Sequence, residues 1–236
     1  MSTLILVHGA WHGGWCWDRV KPILESRGHR VLAPCLSGLG SKFHLLSPEN
    51  SLSHHQAEIL HLIQTEQLSD FLLCGHSYGG LVVGSIASRI AEQLRCLAYL
   101  DAYVPEPGKS GLELRTPEAN RRLRESIRDD WLMPPPPAAK FGLTRAADIE
   151  WVDSMLSPMA IGCFNEKVVM EPNPDSLNTA YLRTAWPNQS LDNFHEMGCS
   201  LGWHTVRWEC GHDMMVEAPE RTSEFLLQLL EDRPRV

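Results

Sequence analysis

Phe71-Leu72-Leu73-Cys74-Gly75-His76-Ser77-Tyr78-Gly79-Gly80 decides how the rest of the chain is read. Phe71 to Cys74 is a short apolar run, the length of a strand buried on both faces of a sheet. Tyr78 to Ala91 reads as a helix. The G-x-S-x-G pentad from Gly75 to Gly79 joins the two without a spacer. A serine at so tight a strand-to-helix turn is pressed into a strained backbone conformation, and glycines on either side remove the clash with neighbouring strand and helix. The helix N-terminus adds backbone N–H groups and a favourable dipole where negative charge would develop. The pentad alone is common by chance. With both flanks correct, the pattern predicts Ser77 as a nucleophile presented on an elbow.

Outward from the elbow, strand-like and helix-like segments alternate. Strands are predicted at Leu4–Val7, Arg30–Leu36, Phe71–Cys74 and Cys96–Leu100, with helices at about Asp18–Arg27, Ser51–Thr65 and Tyr78–Ala91 between them. Such alternation implies parallel strands with helical crossovers, a doubly wound α/β sheet. The rhythm breaks from about Glu106 to Asn178. That stretch shows no clear strand, charged helical material at Glu118–Asp130 and four consecutive prolines from Pro134 to Pro137. It is too long for a plain loop and reads as an insertion over the sheet. Ala180–Thr184 and His204–Trp208 then complete six strands, with a short helix near Asp192 and a closing helix at about Pro219–Leu230. The predicted organisation is one core, 1–105 with 179–236, and an insertion at 106–178.

Composition bounds the function classes. The chain has 236 residues, 43% hydrophobic and 21% charged, which suits an ordinary globular domain. Its formal net charge of −8 disfavours nucleic acid and anionic membrane surfaces as partners. No apolar run approaches membrane-spanning length, and the N-terminus lacks the basic and apolar parts of a signal peptide. Seven scattered cysteines without a C-x-x-C pair read as reduced thiols in a cytoplasmic protein. No His, Cys and carboxylate spacing suggests a metal, and no cofactor is expected.

Two further segments carry chemistry. His8-Gly9-Ala10-Trp11-His12-Gly13-Gly14-Trp15 follows the first strand. An acyl-transfer site needs two N–H donors for an oxyanion: one from Tyr78, after the nucleophile, the other from this loop, Ala10 or Trp11. Gly211-His212-Asp213 follows the last strand, and that position singles out His212 among 11 histidines as the general base. His54, His55 and His61 share one predicted helix and are expected to face solvent.

The segments His8–Trp17, Gly75–Gly80, Leu100-Asp101-Ala102-Tyr103-Val104-Pro105 and Gly211-His212-Asp213 together resemble bacterial α/β-hydrolases related to plant methylesterases and hydroxynitrile lyases. The resemblance implies the α/β-hydrolase fold, Ser77 as nucleophile, His212 as base, and residues 106–178 as a mostly helical cap over the site. The family's acid follows the strand corresponding to Ala180–Thr184, where this chain reads Ala185-Trp186-Pro187-Asn188-Gln189 and has no carboxylate. Asp101, ending the strand after the elbow, is the first choice. Asp192 is the alternative, although it also suits a helix N-cap; a site with no acid, or a water-linked one, is the third possibility. The expected function is a serine hydrolase acting on a small, fairly apolar carboxylic ester, or a carbamate or amide, through an acyl-enzyme. Trp131, Met133, Trp151, Met155, Leu156, Met159 and Met170 make the insertion and entrance apolar, and Trp131, Trp151, Met155 and Trp186 are the candidate substrate-binding residues. A monomer or homodimer is expected. The alternatives are a hydroxynitrile lyase, whose relatives carry lysine where this chain has Asp213 and threonine where it has Ala10, and a non-catalytic ligand-binding protein on the same scaffold.

Overall fold

Six strands join edge to edge into one sheet. The computed structural model describes residues 1–231; the last five positions of the predicted core segment lie outside the described residues. In chain order the strands are β1 (Thr3–Val7), β2 (Arg30–Leu32), β3 (Phe71–His76), β4 (Leu94–Leu100), β5 (Leu132–Met133), β6 (Met159–Ala160), β7 (Thr179–Thr184) and β8 (His204–Trp208). The helices are α1 (Lys21–Ser26), α2 (Leu52–Thr65), α3 (Gly79–Ala87), α4 (Pro117–Ser126), α5 (Ala146–Met155), α6 (Gly162–Asn165), α7 (Gln189–Ser200), α8 (Met214–Glu217) and α9 (Pro219–Glu231).

The main sheet runs β2-β1-β3-β4-β7-β8, and every pairing in it is parallel. Alternate residues of each strand feed the two faces. Ile5, Val7, Leu73, Leu97, Tyr99 and Tyr181 enter one core with α2 and α3. Leu4, Leu6, Leu72, Cys74, Ala98, Leu100 and Leu182 enter the other with α1 and α9. Helix α9 buries Phe225, Leu226, Leu229 and Leu230, the spacing of one helical stripe, and each such side chain contributes about 1.5–3 kcal/mol. The chain leaves β1 for β2 on one side and returns to β3 on the other. That reversal opens a crevice at the carboxyl ends of β1 and β3, where α/β sheets place their sites.

Several boundaries shift. The second strand stops at Leu32, α1 covers only Lys21–Ser26, and the elbow helix is α-helical to Ala87 before tightening to a 3₁₀ turn over Ser88–Gln93. Asn188, not Asp192, caps α7, its side chain accepting from the Ser190 N–H. The segment 106–178 holds α4, α5 and α6 but also a small antiparallel ladder, Leu132 opposite Ala160 and Met133 opposite Met159. Two residues per strand are too few for a period-2 pattern to show. No disulfide joins any of the seven cysteines. Among the described residues no helix is long and apolar enough to cross a membrane.

Candidate active site

Every residue from Phe71 to Gly80 is buried except Ser77. Ser77 has φ +52, in the left-handed region that side chains normally avoid. Its backbone is held there from three directions. The Ser77 N–H donates to Leu100 O at 3.2 Å, and Ser77 O accepts from Gly80 N and Tyr103 N, each at 3.1 Å. A Cβ on Gly75 would stand 2.6 Å from the Gly79 backbone, and one on Gly9 would stand 2.8 Å from Ser77 Cβ. Glycine at these two positions lets helix, strand and the loop after β1 close on the serine.

The same register delivers Asp101. It directly follows β4, one residue past Leu100, and its N–H continues the ladder to Leu182 O at 2.7 Å. Its φ of +46 turns the side chain out of the strand pattern. The buried carboxylate takes four hydrogen bonds. Oδ1 accepts from Arg183 Nη1 at 2.7 Å and Thr184 N at 3.0 Å. Oδ2 accepts from Thr184 Oγ1 at 2.9 Å and His212 Nδ1 at 2.6 Å. Burial by itself would raise this carboxyl. The His212 hydrogen bond and charge, the Arg183 cation and the Thr184 N–H outweigh it and hold the group down at about 2.

His212 sits in the loop between β8 and α8. Its N–H donates to Phe141 O at 2.7 Å, its carbonyl accepts from His76 Nε2 at 3.1 Å, and the Trp186 ring stacks on it at 4.2 Å. Trp186 is itself fixed by a 2.7 Å bond from Nε1 to Lys140 O. With Nδ1–H committed to Asp101, the lone pair of His212 lies on Nε2.

Asp192 lies elsewhere. Its Oδ1 accepts from Arg183 Nε at 3.0 Å and Arg207 Nη2 at 2.8 Å. Arg183 therefore bridges the two carboxylates, and it also donates to Trp186 O and Asn188 O. Sequence reasoning missed this residue; the available signal was an arginine directly after the apolar run Ala180–Leu182, inside the predicted strand.

Of the other predicted residues, Trp186 stacks on the His212 ring, whereas the ring and hydrogen-bond contacts of Trp131, Trp151 and Met155 do not include Ser77 or His212. Ala10 is buried, and Trp11 has φ +65, with Nε1 donating to Met133 O at 3.2 Å and its carbonyl accepting from Ser157 N at 3.0 Å. Trp131 is half-buried in the turn before β5, its carbonyl accepting from Ile161 N. Trp151 packs on the edge of Trp15, at 5.4 Å, beneath the Arg19 guanidinium, and Met155 is exposed at the end of α5.

His55 corrects an expectation. His54 and His61 are exposed, but His55 is fully buried. Its Nε2–H donates to Ser37 O at 3.0 Å, so its Nδ1 accepts from the Tyr78 hydroxyl at 2.9 Å. It faces the elbow because α2 packs against α3. His8 is also buried: burial pulls its pKa down to about 3. Nε2 accepts from Leu36 N at 3.1 Å, which leaves Nδ1–H to donate to Gly9 O at 2.9 Å.

The fold also brings together donors that no sequence spacing revealed. Atoms of His76, His212 and Asp213 lie within 4.8 Å of one another. His76 Nε2 donates to His212 O and Asp213 Oδ2 accepts from His12 Nε2, while His76 Nδ1 and Asp213 Oδ1 are buried without a hydrogen-bond partner.

Residues 4–225 match the model of the alpha/beta hydrolase family. A carbendazim hydrolyzing esterase from Nocardioides sp. (strain SG-4G) is 34% identical over 97% of this chain and 100% of that protein. Salicylic acid-binding protein 2 of Nicotiana tabacum is 31% identical over 43% of this chain and 40% of that protein. An extracellular alpha/beta-hydrolase from a Paenibacillus species superposes with a TM-score of 0.81 at 21% identity, covering 98% of this chain and all of that one.

Proposed function

The chain belongs to the alpha/beta hydrolase family, and from that membership we propose that Ser77, His212 and Asp101 hydrolyse a carboxylic ester through an acyl-enzyme. The observation that carries this reading is the 2.6 Å contact between His212 Nδ1 and Asp101 Oδ2. A ring whose Nδ1–H donates to a carboxylate keeps Nε2 as a proton acceptor, and the carboxylate stabilises the imidazolium that forms.

Ser77 Oγ attacks the ester carbonyl carbon, its proton passes to His212 Nε2, and the carbonyl electrons move onto oxygen. Backbone N–H groups of Tyr78 and of Ala10 or Trp11 receive that oxyanion, each donor being worth about 10²- to 10³-fold in kcat. Collapse expels the alkoxide, which takes the proton from His212 and leaves as the alcohol. Water then attacks the acyl group by the same route and returns Ser77.

Residues 106–178 act in this reading as a cap over a core made of 1–105 and 179–231. Phe141 and Trp186 pack on the His212 ring and Trp11 packs on Phe141, an apolar, aromatic setting that supports a small and fairly apolar ester. The full-length likeness to a carbendazim hydrolyzing esterase makes carbendazim the first compound to assay. Unbridged cysteines support a cytoplasmic location.

Asp213 stands where the lyase relatives carry lysine. Asp213 is fully buried and paired with His12, so it is not an open anion beside the substrate. It supplies no cation for cyanide, and that difference favours an esterase over a lyase.

The test compares wild type with Ser77→Ala. Wild type should turn over p-nitrophenyl acetate and react covalently with a fluorophosphonate probe, and the variant should do neither. Labelling that persists unchanged in the variant removes the mechanism.

A further inference from the structure

The mechanism leaves a second buried aspartate–histidine pair unused. Asp213, fully buried, accepts from His12 Nε2 at 3.1 Å through Oδ2. The other nitrogen of that ring, Nδ1, faces Ala10 O at 2.8 Å. A carbonyl and a carboxylate can only accept, so both ring nitrogens carry hydrogen and His12 is an imidazolium. Burial opposes the charge, and the Asp213 carboxylate with its hydrogen bond and the Ala10 carbonyl outweigh it. The ring stacks on Trp15 at 5.3 Å and 24°, an arrangement that favours a cation on an indole face. Between this ring and His212 stands His76, whose burial keeps it neutral.

The location of the pair gives it a task. Ala10 belongs to the loop lying against Ser77, and Asp213 is the residue after His212. The C=O of one residue and the N–H of the next share a trans peptide plane and point in opposite directions. His12 pulls Ala10 O inward, so the Trp11 N–H points the other way. His8 Nδ1 likewise holds Gly9 O, and Ser157 N holds Trp11 O. Ala10 is therefore pinned through its own carbonyl and through the one before it.

The geometry points to His12, charged and clamped between Ala10 O and Asp213, as a positioning residue that fixes the oxyanion donors of the loop after β1 and ties that loop to the loop carrying His212. This role rests on the esterase reading. It costs the substrate no contact and acts only through the peptide planes, so it serves the transition state rather than substrate binding.

Two substitutions separate the two ring nitrogens. The amide of His12→Asn occupies the place of Nδ1 and retains a donor for Ala10 O. The amide of His12→Gln occupies the place of Nε2 and retains one for Asp213 only. Concentrations are set by titration of folded sites. His12→Gln should lower kcat on p-nitrophenyl acetate by about 10²-fold, the loss of one oxyanion donor, with KM little changed. The affinity of a trifluoromethyl ketone, whose tetrahedral adduct uses the same donors, should fall in step. His12→Asn should keep both within about tenfold of wild type, because the Ala10 clamp survives. Equal losses in the two variants, or wild-type kcat and ketone affinity in His12→Gln, overturn the proposal. A measurement on the unaltered protein stands even if both variants misfold: ¹⁵N resonances of the His12 ring should report both nitrogens protonated at pH 7, and a neutral ring overturns the clamp. Failure of the esterase reading looks different, since turnover would then survive in Ser77→Ala.

Discussion

Asp101→Asn tests the site most sharply, because the four bonds to the carboxylate dictate what an amide must do. Arg183 Nη1 and Thr184 N both donate to Oδ1, so the amide oxygen has to take that place. The amide NH2 then occupies the place of Oδ2, facing His212 Nδ1 at 2.6 Å and Thr184 Oγ1 at 2.9 Å. Two N–H groups cannot face each other, so His212 must give up its Nδ1 proton and carry one on Nε2 instead. That tautomer cannot accept the proton of Ser77. The loss in kcat should be on the order of 10⁴, or about 5.4 kcal/mol of barrier. The assay is kcat on p-nitrophenyl acetate at pH 7–8 alongside the rate of fluorophosphonate labelling, both of which should collapse while the fold persists. A variant within tenfold of wild type, or an Asp192→Asn variant that loses more, would refute the tautomer argument. The same charge has a signature in stability. The carboxyl is held at about 2 in the folded chain against an ordinary value of 3.8, so its contribution is complete above pH 3.8 and is lost as pH falls toward 2. The shift corresponds to about 2 kcal/mol, and an acid titration of unfolding should show that loss in wild type but not in Asp101→Asn.

Gly75→Ala forces a Cβ to within 2.6 Å of the Gly79 backbone and should destabilise by about 1–3 kcal/mol or more in urea unfolding; an unchanged midpoint contradicts the packing described at the elbow. Arg183→Met leaves two buried or half-buried carboxylates without their shared cation. It should cost about 3–5 kcal/mol of stability and move the acid limb of kcat upward in pH, because Asp101 loses a charge that holds it down. Tyr78→Phe removes the donor to His55 Nδ1 and should cost about 1–3 kcal/mol, yet leave kcat within about threefold of wild type, since the proposed mechanism uses only the Tyr78 backbone N–H.

Local pattern alone determined the sheet and the elbow. Apolar runs of strand length, the alternation of strand and helix, and the pentad around Ser77 are short-range signals, and each of the six core strands overlaps a segment that those signals mark. His212 was legible for the same reason, because its place after the last strand is a matter of chain order. The tertiary structure decided which carboxylate meets it. Asp101, just past β4, and Asp192, within α7, both accept from Arg183 of β7, and the backbone path at φ +46 brings only Asp101 to His212, while Asp192 meets Arg207. It also decided that His55 faces the elbow while His54 faces water, a difference of 100° around one helix that a helix with histidines at both positions does not announce. The pairing of His12 with Asp213 spans 201 positions. Its protonation follows from what two ring nitrogens face in space, and no spacing along the chain carries that information, because the charge state of a buried ring is set by its acceptors and not by its neighbours in sequence.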